Sequence, residues 1–112
     1  MGKLKTINQN YLFQRAYRSK TRFVSPFVVT YVVPRKTGGI RMGITTSRKI
    51  GCAVERNRAR RIVKAAAVEL LKDADGCFDV IFVCRAATAS RKSTALYGIL
   101  KGHLKNAGVL ND

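Results

Sequence analysis

The run from Arg48 to Lys64, RKIGCAVERNRARRIVK, constrains this chain more than any other stretch. Its cations are Arg48, Lys49, Arg56, Arg58, Arg60, Arg61 and Lys64, and Glu55 is its one carboxylate. The first half, RKIGCAVE, reads as a loop. The second half passes without a break into the helix-favouring run RIVKAAAVELLK. Wound at roughly 100° per residue, Ala59, Val63, Ala66 and Leu70 share one side, with Ile62 and Ala67 at its flanks. Asn57, Arg60, Arg61 and Lys64 fall opposite, and Arg56 and Arg58 sit at the borders. Arg56, Arg60 and Lys64 follow one another at i, i+4, where like charges cost about 0.2–0.5 kcal/mol per pair. Cations in the first turns also oppose the helix dipole. A solvated face ordinarily mixes signs. This one calls for an outside anion, and the planar guanidinium fork suits phosphate oxygens.

The rest of the composition agrees. A 112-residue chain is one domain, able to bury a modest core, and its formal net charge of +16 points to a polyanionic partner. Membrane attachment would need an apolar span, a bulky amphipathic face or a lipidation site, and the sequence offers none. Cys52, Cys77 and Cys84 fit no zinc spacing and read as small buried hydrophobes in a reducing cytoplasm. The six carboxylates all lie at or beyond Glu55, so the first 54 residues carry none, and His103 is the single histidine. Protein-borne hydrolysis wants an acid and a base, or carboxylates to hold metal ions. Those ingredients are thin, so no catalytic residue, metal site or protein-bound cofactor is expected here.

Along the chain, a short helix is expected from Asn8 or Asn10 to about Ser19. Phe13 and Tyr17 are four apart and share a face, with Tyr11, Arg15 and Arg18 interleaved. The same spacing fits two core anchors or two stacking rings. The run FVSPFVVTYVV, Phe23 to Val33, reads as a strand interrupted at Pro26. Phe27, Val29 and Tyr31 lie on one side of it and Val28, Thr30 and Val32 on the other. PRKTGG is a turn, and IRMGITTS returns as a second strand. There Ile40, Met42 and Ile44 alternate with Arg41, Gly43, Thr45 and Ser47, a small polar face open to solvent or to a nucleotide chain. After the long helix, ADG is a stop and FDVIFVC a strand covered on both faces. A last helix, capped by Ser90 or Ser93, carries Leu96, Ile99, Leu100, His103, Leu104 and Ala107 on one stripe, and Gly108 ends it. His103 reads as a packed or surface residue, and each terminus as a short disordered tail.

The basic stretch resembles the signature of the protein-subunit family of bacterial ribonuclease P, a KIGNAV-type loop followed by RNR and a further basic pair. Lys49, Ile50, Gly51, Ala53, Val54, Arg56, Asn57, Arg58 and Arg61 fall in register. Cys52 stands where the family usually has Asn. The resemblance extends more loosely from Asn8 to Ala107. The residues themselves read as one α+β domain, α-β-β-α-β-α, with a small central sheet, and the resemblance implies a fourth, short strand from the Phe23 region. It also implies a left-handed βαβ crossover, against the general rule. The implied function is that of the protein cofactor in removing the 5′ leader of precursor tRNA. Hydrolysis would then belong to the RNA subunit and its Mg²⁺, with no obligate protein partner. RNA-subunit contacts carry over to Arg48, Lys49, Gly51, Arg56, Asn57, Arg58, Arg60, Arg61 and Lys64. Leader contacts carry over to Phe13, Arg15, Tyr17, Arg18, Thr45 and Ser47. Charge and size alone fit a small ribosomal protein equally well, whereas a stand-alone nuclease has little support in the residues.

Overall fold

A computed structural model of the chain describes residues 5–7, 10–18, 21–36, 39–46, 53–72, 74, 76–85 and 93–109. Its elements in order are β1 (Lys5–Thr6), α1 (Asn10–Arg18), β2 (Arg22–Val24), β3 (Val28–Pro34), β4 (Ile40–Thr46), α2 (Ala53–Leu71), β5 (Phe78–Cys84) and α3 (Ser93–Asn106). The strands form one mixed sheet in the order β1-β4-β5-β3-β2. Central β5 runs parallel to β4 and antiparallel to β3. It is apolar on both faces because helices cover both. The fold is thus α+β, as expected.

Two expectations need correction, while a third holds. The run from Phe23 to Val33 breaks at Pro26 as read and supplies the short strand expected from the Phe23 region, where Ser25 and Pro26 turn the chain. Ser25 Oγ donates to Val28 O at 2.8 Å and accepts from Val28 N at 3.0 Å, which closes β2 onto β3. The N-terminal segment is not all tail, since Lys5–Thr6 pairs in parallel with Arg41 and Met42 and makes a fifth strand. The long helix starts at Ala53, so Ala53, Val54 and Glu55 belong to it rather than to the preceding loop. Glu55 therefore sits in the first turn, where a carboxylate favours the dipole, and most of the arginines follow it.

Period-two alternation divides the strands between two cores. Val28, Val32, Ile40, Met42, Val80, Phe82 and Cys84 face α2 and α3, which contribute Ala59, Val63, Ala66, Ala67, Leu70, Leu71, Leu96, Leu100 and Leu104. The opposite face carries a smaller cluster of Ile7, Leu12, Ala16 and Ile81, with Phe13, Tyr31, Val33 and Val83 packed around it. The last helix ends as read from Gly108. That residue adopts φ +83°, Val109 N donates to Leu104 O at 3.0 Å and Gly108 N to Lys105 O at 3.1 Å. This is the Schellman pattern, with Val109 and Leu104 both buried beneath it.

Candidate nucleic-acid interface

The cationic surface is built by α2. Ala59, Val63, Ala66, Ala67 and Leu70 are buried against the sheet and α3, and this fixes the helix in rotation. Asn57, Arg58, Arg60, Arg61 and Lys64 are then exposed, with Arg56 half-buried. The two faces match the periodicity residue by residue. Among the described residues none of these cations has an ion-pair partner. Near the far end of the helix opposite charges do pair, where Lys72 Nζ lies 3.0 Å from Glu69 Oε1. Arg48, Lys49, Gly51 and Cys52 lie outside the described residues, as does Ser47.

A second surface lies on the other face of the sheet. Helix α1 packs Leu12 and Ala16 onto β5 and β3 and leaves the β4 side less covered. In register, Gly43, Ile81 and Tyr31 form one row across this face, and Thr45, Val83 and Val29 form the next. Phe13 rests on the first row. A Cβ added at Gly43 would stand 3.0 Å from the Phe13 ring and 2.8 Å from Ile81 Cδ1, so glycine is what admits the ring there. Phe13 is consequently half-buried and serves partly as a core residue. Tyr17, one turn on, is 37% exposed and meets Tyr31 edge to face, with ring centroids 5.3 Å apart. Burial raises the Tyr17 phenol's pKa and the neighbouring Tyr31 raises it further, while a hydrogen bond with Thr45 pulls it back. Phe13, Tyr17, Tyr31 and Thr45 are therefore brought together where α1 meets the sheet, each of them still partly exposed.

The remaining cations of α1 are placed differently. Arg15 and Arg18 are exposed on the outer surface of the helix, beside Gln14 and a Tyr11 that is 63% exposed. They do not join the two rings. Beyond the first row, Asp79 is buried with 1% exposure and is flanked by two arginines. Arg41 donates to it in bidentate fashion, Nε to Oδ1 and Nη2 to Oδ2, both at 2.7 Å. That pairing holds the Arg41 pKa above its ordinary value. Arg35 Nε lies 2.9 Å from Oδ1 but is poorly aligned, an ion pair rather than a hydrogen bond, and its Nη2 donates to Gly39 O at 2.7 Å. Sequence reasoning missed this triad. The available signal was a lone acid, Asp79, inside an otherwise apolar strand.

His103, read as either packed or surface, is packed. Its Nδ1 is 2.9 Å from Thr30 Oγ1, its ring stacks on Phe23 with centroids 6.0 Å apart, and burial lowers its pKa. Among the described residues no helix is long and apolar enough to cross a membrane.

Comparison with known proteins places the chain in a family. The family model for Ribonuclease P matches residues 1–108. A ribonuclease P protein component from Clostridium botulinum is 28% identical over 106 residues, covering 94% of this chain and 96% of its own length. One from Chloroflexus aurantiacus is 37% identical over 73 residues, covering 65% and 54%. The structure of the Staphylococcus aureus RNase P protein superposes with TM-score 0.80 at 28% identity, covering 96% of this chain and 98% of that one. That of Thermotoga maritima superposes with TM-score 0.77 at 18% identity, covering 91% and 96%, and shows the same fold. The chain belongs to the ribonuclease P protein family.

Proposed function

We propose that this chain is the protein subunit of a ribonuclease P ribonucleoprotein that removes the 5′ leader of precursor tRNA. It docks on the catalytic RNA through the cationic face of α2, using Arg56, Asn57, Arg58, Arg60, Arg61 and Lys64, together with Arg48, Lys49 and Gly51 of the preceding segment. It holds the single-stranded leader along the groove between α1 and the sheet. There Phe13 and Tyr17 offer ring faces to unpaired bases, and Thr45 and Ser47 let the backbone come close. Arg15 and Arg18, on the outer side of α1, supply charge to the leader's flank instead of lining the groove. Phosphodiester hydrolysis belongs to the RNA subunit and its Mg²⁺.

The observation that carries this reading is the ring pair on the α1 face, on a chain whose other face presents a row of arginines with no ion-pair partner among the described residues. Phosphate contacts alone explain affinity for any folded RNA. Stacking platforms add a preference for unpaired nucleotides, worth about 1–3 kcal/mol per base. Cleavage of precursor tRNA at low Mg²⁺ with protein alone, RNA alone and both together tests it. Cleavage is expected only from the combination. Turnover by the protein alone that survives nuclease removal and is abolished by a point substitution would overturn it.

A further inference from the structure

The groove on the far side of α2 has a use that phosphate contact does not explain. Between α2 and the β1–β4 edge of the sheet lies a pocket of about 280 Å³, lined by Ile7, Met42, Ile44, Arg60, Arg61 and Lys64. Its wall exists because the N-terminal segment pairs with β4, where Ile7 N donates to Met42 O at 2.8 Å. Its apolar side is formed by Ile44, half-buried, over the more deeply buried Ile7 and Met42. Its rim is three cations, all exposed.

A surface that only gripped a paired backbone would need those cations and no cavity among them. An apolar recess inside a cationic rim is matched to a group with a flat apolar body and an attached anion. Unpaired RNA bases are such groups, since they are splayed out and stacked on side chains, arginine planes included. The volume is at the small end of ligand pockets, room for a single ring system and too little for a helix or a strand. The rim charge disfavours a basic or neutral peptide.

We infer that this groove takes the base of one unpaired nucleotide of the RNA subunit, with the flanking phosphates on Arg60, Arg61 and Lys64. The inference rests on the proposed docking of α2 against that RNA, and it adds what the face reads. The helix then recognises a bulged position in its partner as well as charge.

Methyl-resolved NMR on the full chain separates the two ideas. The probes are an RNA duplex and the same duplex carrying one bulged nucleotide. The bulged RNA is expected to shift the Ile7, Met42 and Ile44 methyls saturably, while the plain duplex moves only the α2 amides. Ile44→Ala is expected to weaken the bulged duplex by roughly fivefold and leave the plain duplex unchanged, with the melting temperature checked on the same sample. Equal methyl shifts from both RNAs, or α2 amide shifts with silent methyls for both, would overturn the base site and leave RNA docking intact. Silence of α2 towards every RNA would overturn both.

Discussion

The two faces of the sheet are covered unequally, and the difference separates stability from recognition. Beneath α2 and α3 the strands present an almost wholly apolar surface, and two helices close it. The core there includes Phe82, Leu96, Leu100 and Leu104, all fully buried. On the other face the nine-residue α1 covers only part of the sheet, and the cluster it completes has four buried residues, two of them its own. A helix that short is marginal by itself, so its placement depends on what Leu12, Ala16 and Phe13 bury. One face holds the domain together. The other is left half-open, with aromatic rings at its margin, because no second helix lies there among the described residues.

The largest expected effect contrasts the polar contacts of the two faces. On the α1 face Asp79 is paired with both Arg41 and Arg35, and removing one partner of a buried pair is costly because the other charge stays behind. Asp79→Asn should cost about 3 kcal/mol in urea unfolding, at the lower end for such pairs since both arginines keep some contact with solvent. On the covered face, Thr30→Val removes one neutral hydrogen bond to His103 and should cost about 1 kcal/mol. Equal losses would mean that the triad is not what secures the thinner face.

Next comes the fit of α1 on the sheet. In Gly43→Ala the new methyl would meet Ile81, fully buried, and the Phe13 ring. Overpacking of this kind costs about 1–3 kcal/mol. The ring is the freer neighbour, so leader affinity should fall along with stability. A variant that binds the leader normally would show that the groove does not depend on where Phe13 sits.

The two rings then sharpen the comparison. Phe13→Ala should lower both the melting temperature and the affinity for precursor tRNA, because that ring is shared between core and groove. Tyr17→Ala should lower precursor affinity by about 1 kcal/mol with little change in stability. Mature tRNA should bind both folded variants as it binds the parent. Proportional loss for both tRNA forms would remove the groove as the leader's site.

These assignments show what could be read from the residues alone. The α2 faces were legible because 3.6-residue periodicity survives the arginine cluster, with Ala59, Val63, Ala66 and Leu70 marking the inner side. The groove was legible only as a pair, Phe13 and Tyr17. The sequence places them on one helical face but cannot say which sits over a glycine, and that contact divides their roles. Arg15 and Arg18 are close in sequence to the rings yet turn away from them, since the turn that buries Leu12 and Ala16 sends them outward. Strand β1 was not legible, because two residues carry no alternation. The Asp79 triad joins residues brought together only by the β3-β5-β4 register.

The smallest expected effect belongs to the covered face and uses the chain's single histidine. Burial lowers the His103 pKa in the folded state. Between that value and the ordinary one near 6.5, the unfolded chain binds the proton and the folded one does not. Stability is therefore fully present above about pH 6.5 and declines as the pH falls towards the folded-state pKa. The slope just below about pH 6.5 belongs to His103, the chain's single imidazole. In His103→Gln that slope should flatten, while Thr30 keeps a side chain able to hydrogen-bond with it. Asp79→Asn should keep the slope and shift the whole curve down, because its charges sit on the other side of the sheet. Urea unfolding at half-unit pH steps measures all three proteins. Parallel curves for the parent and His103→Gln would mean that acid weakens the fold through another group. A slope lost in Asp79→Asn would mean that the two faces are coupled through the strands.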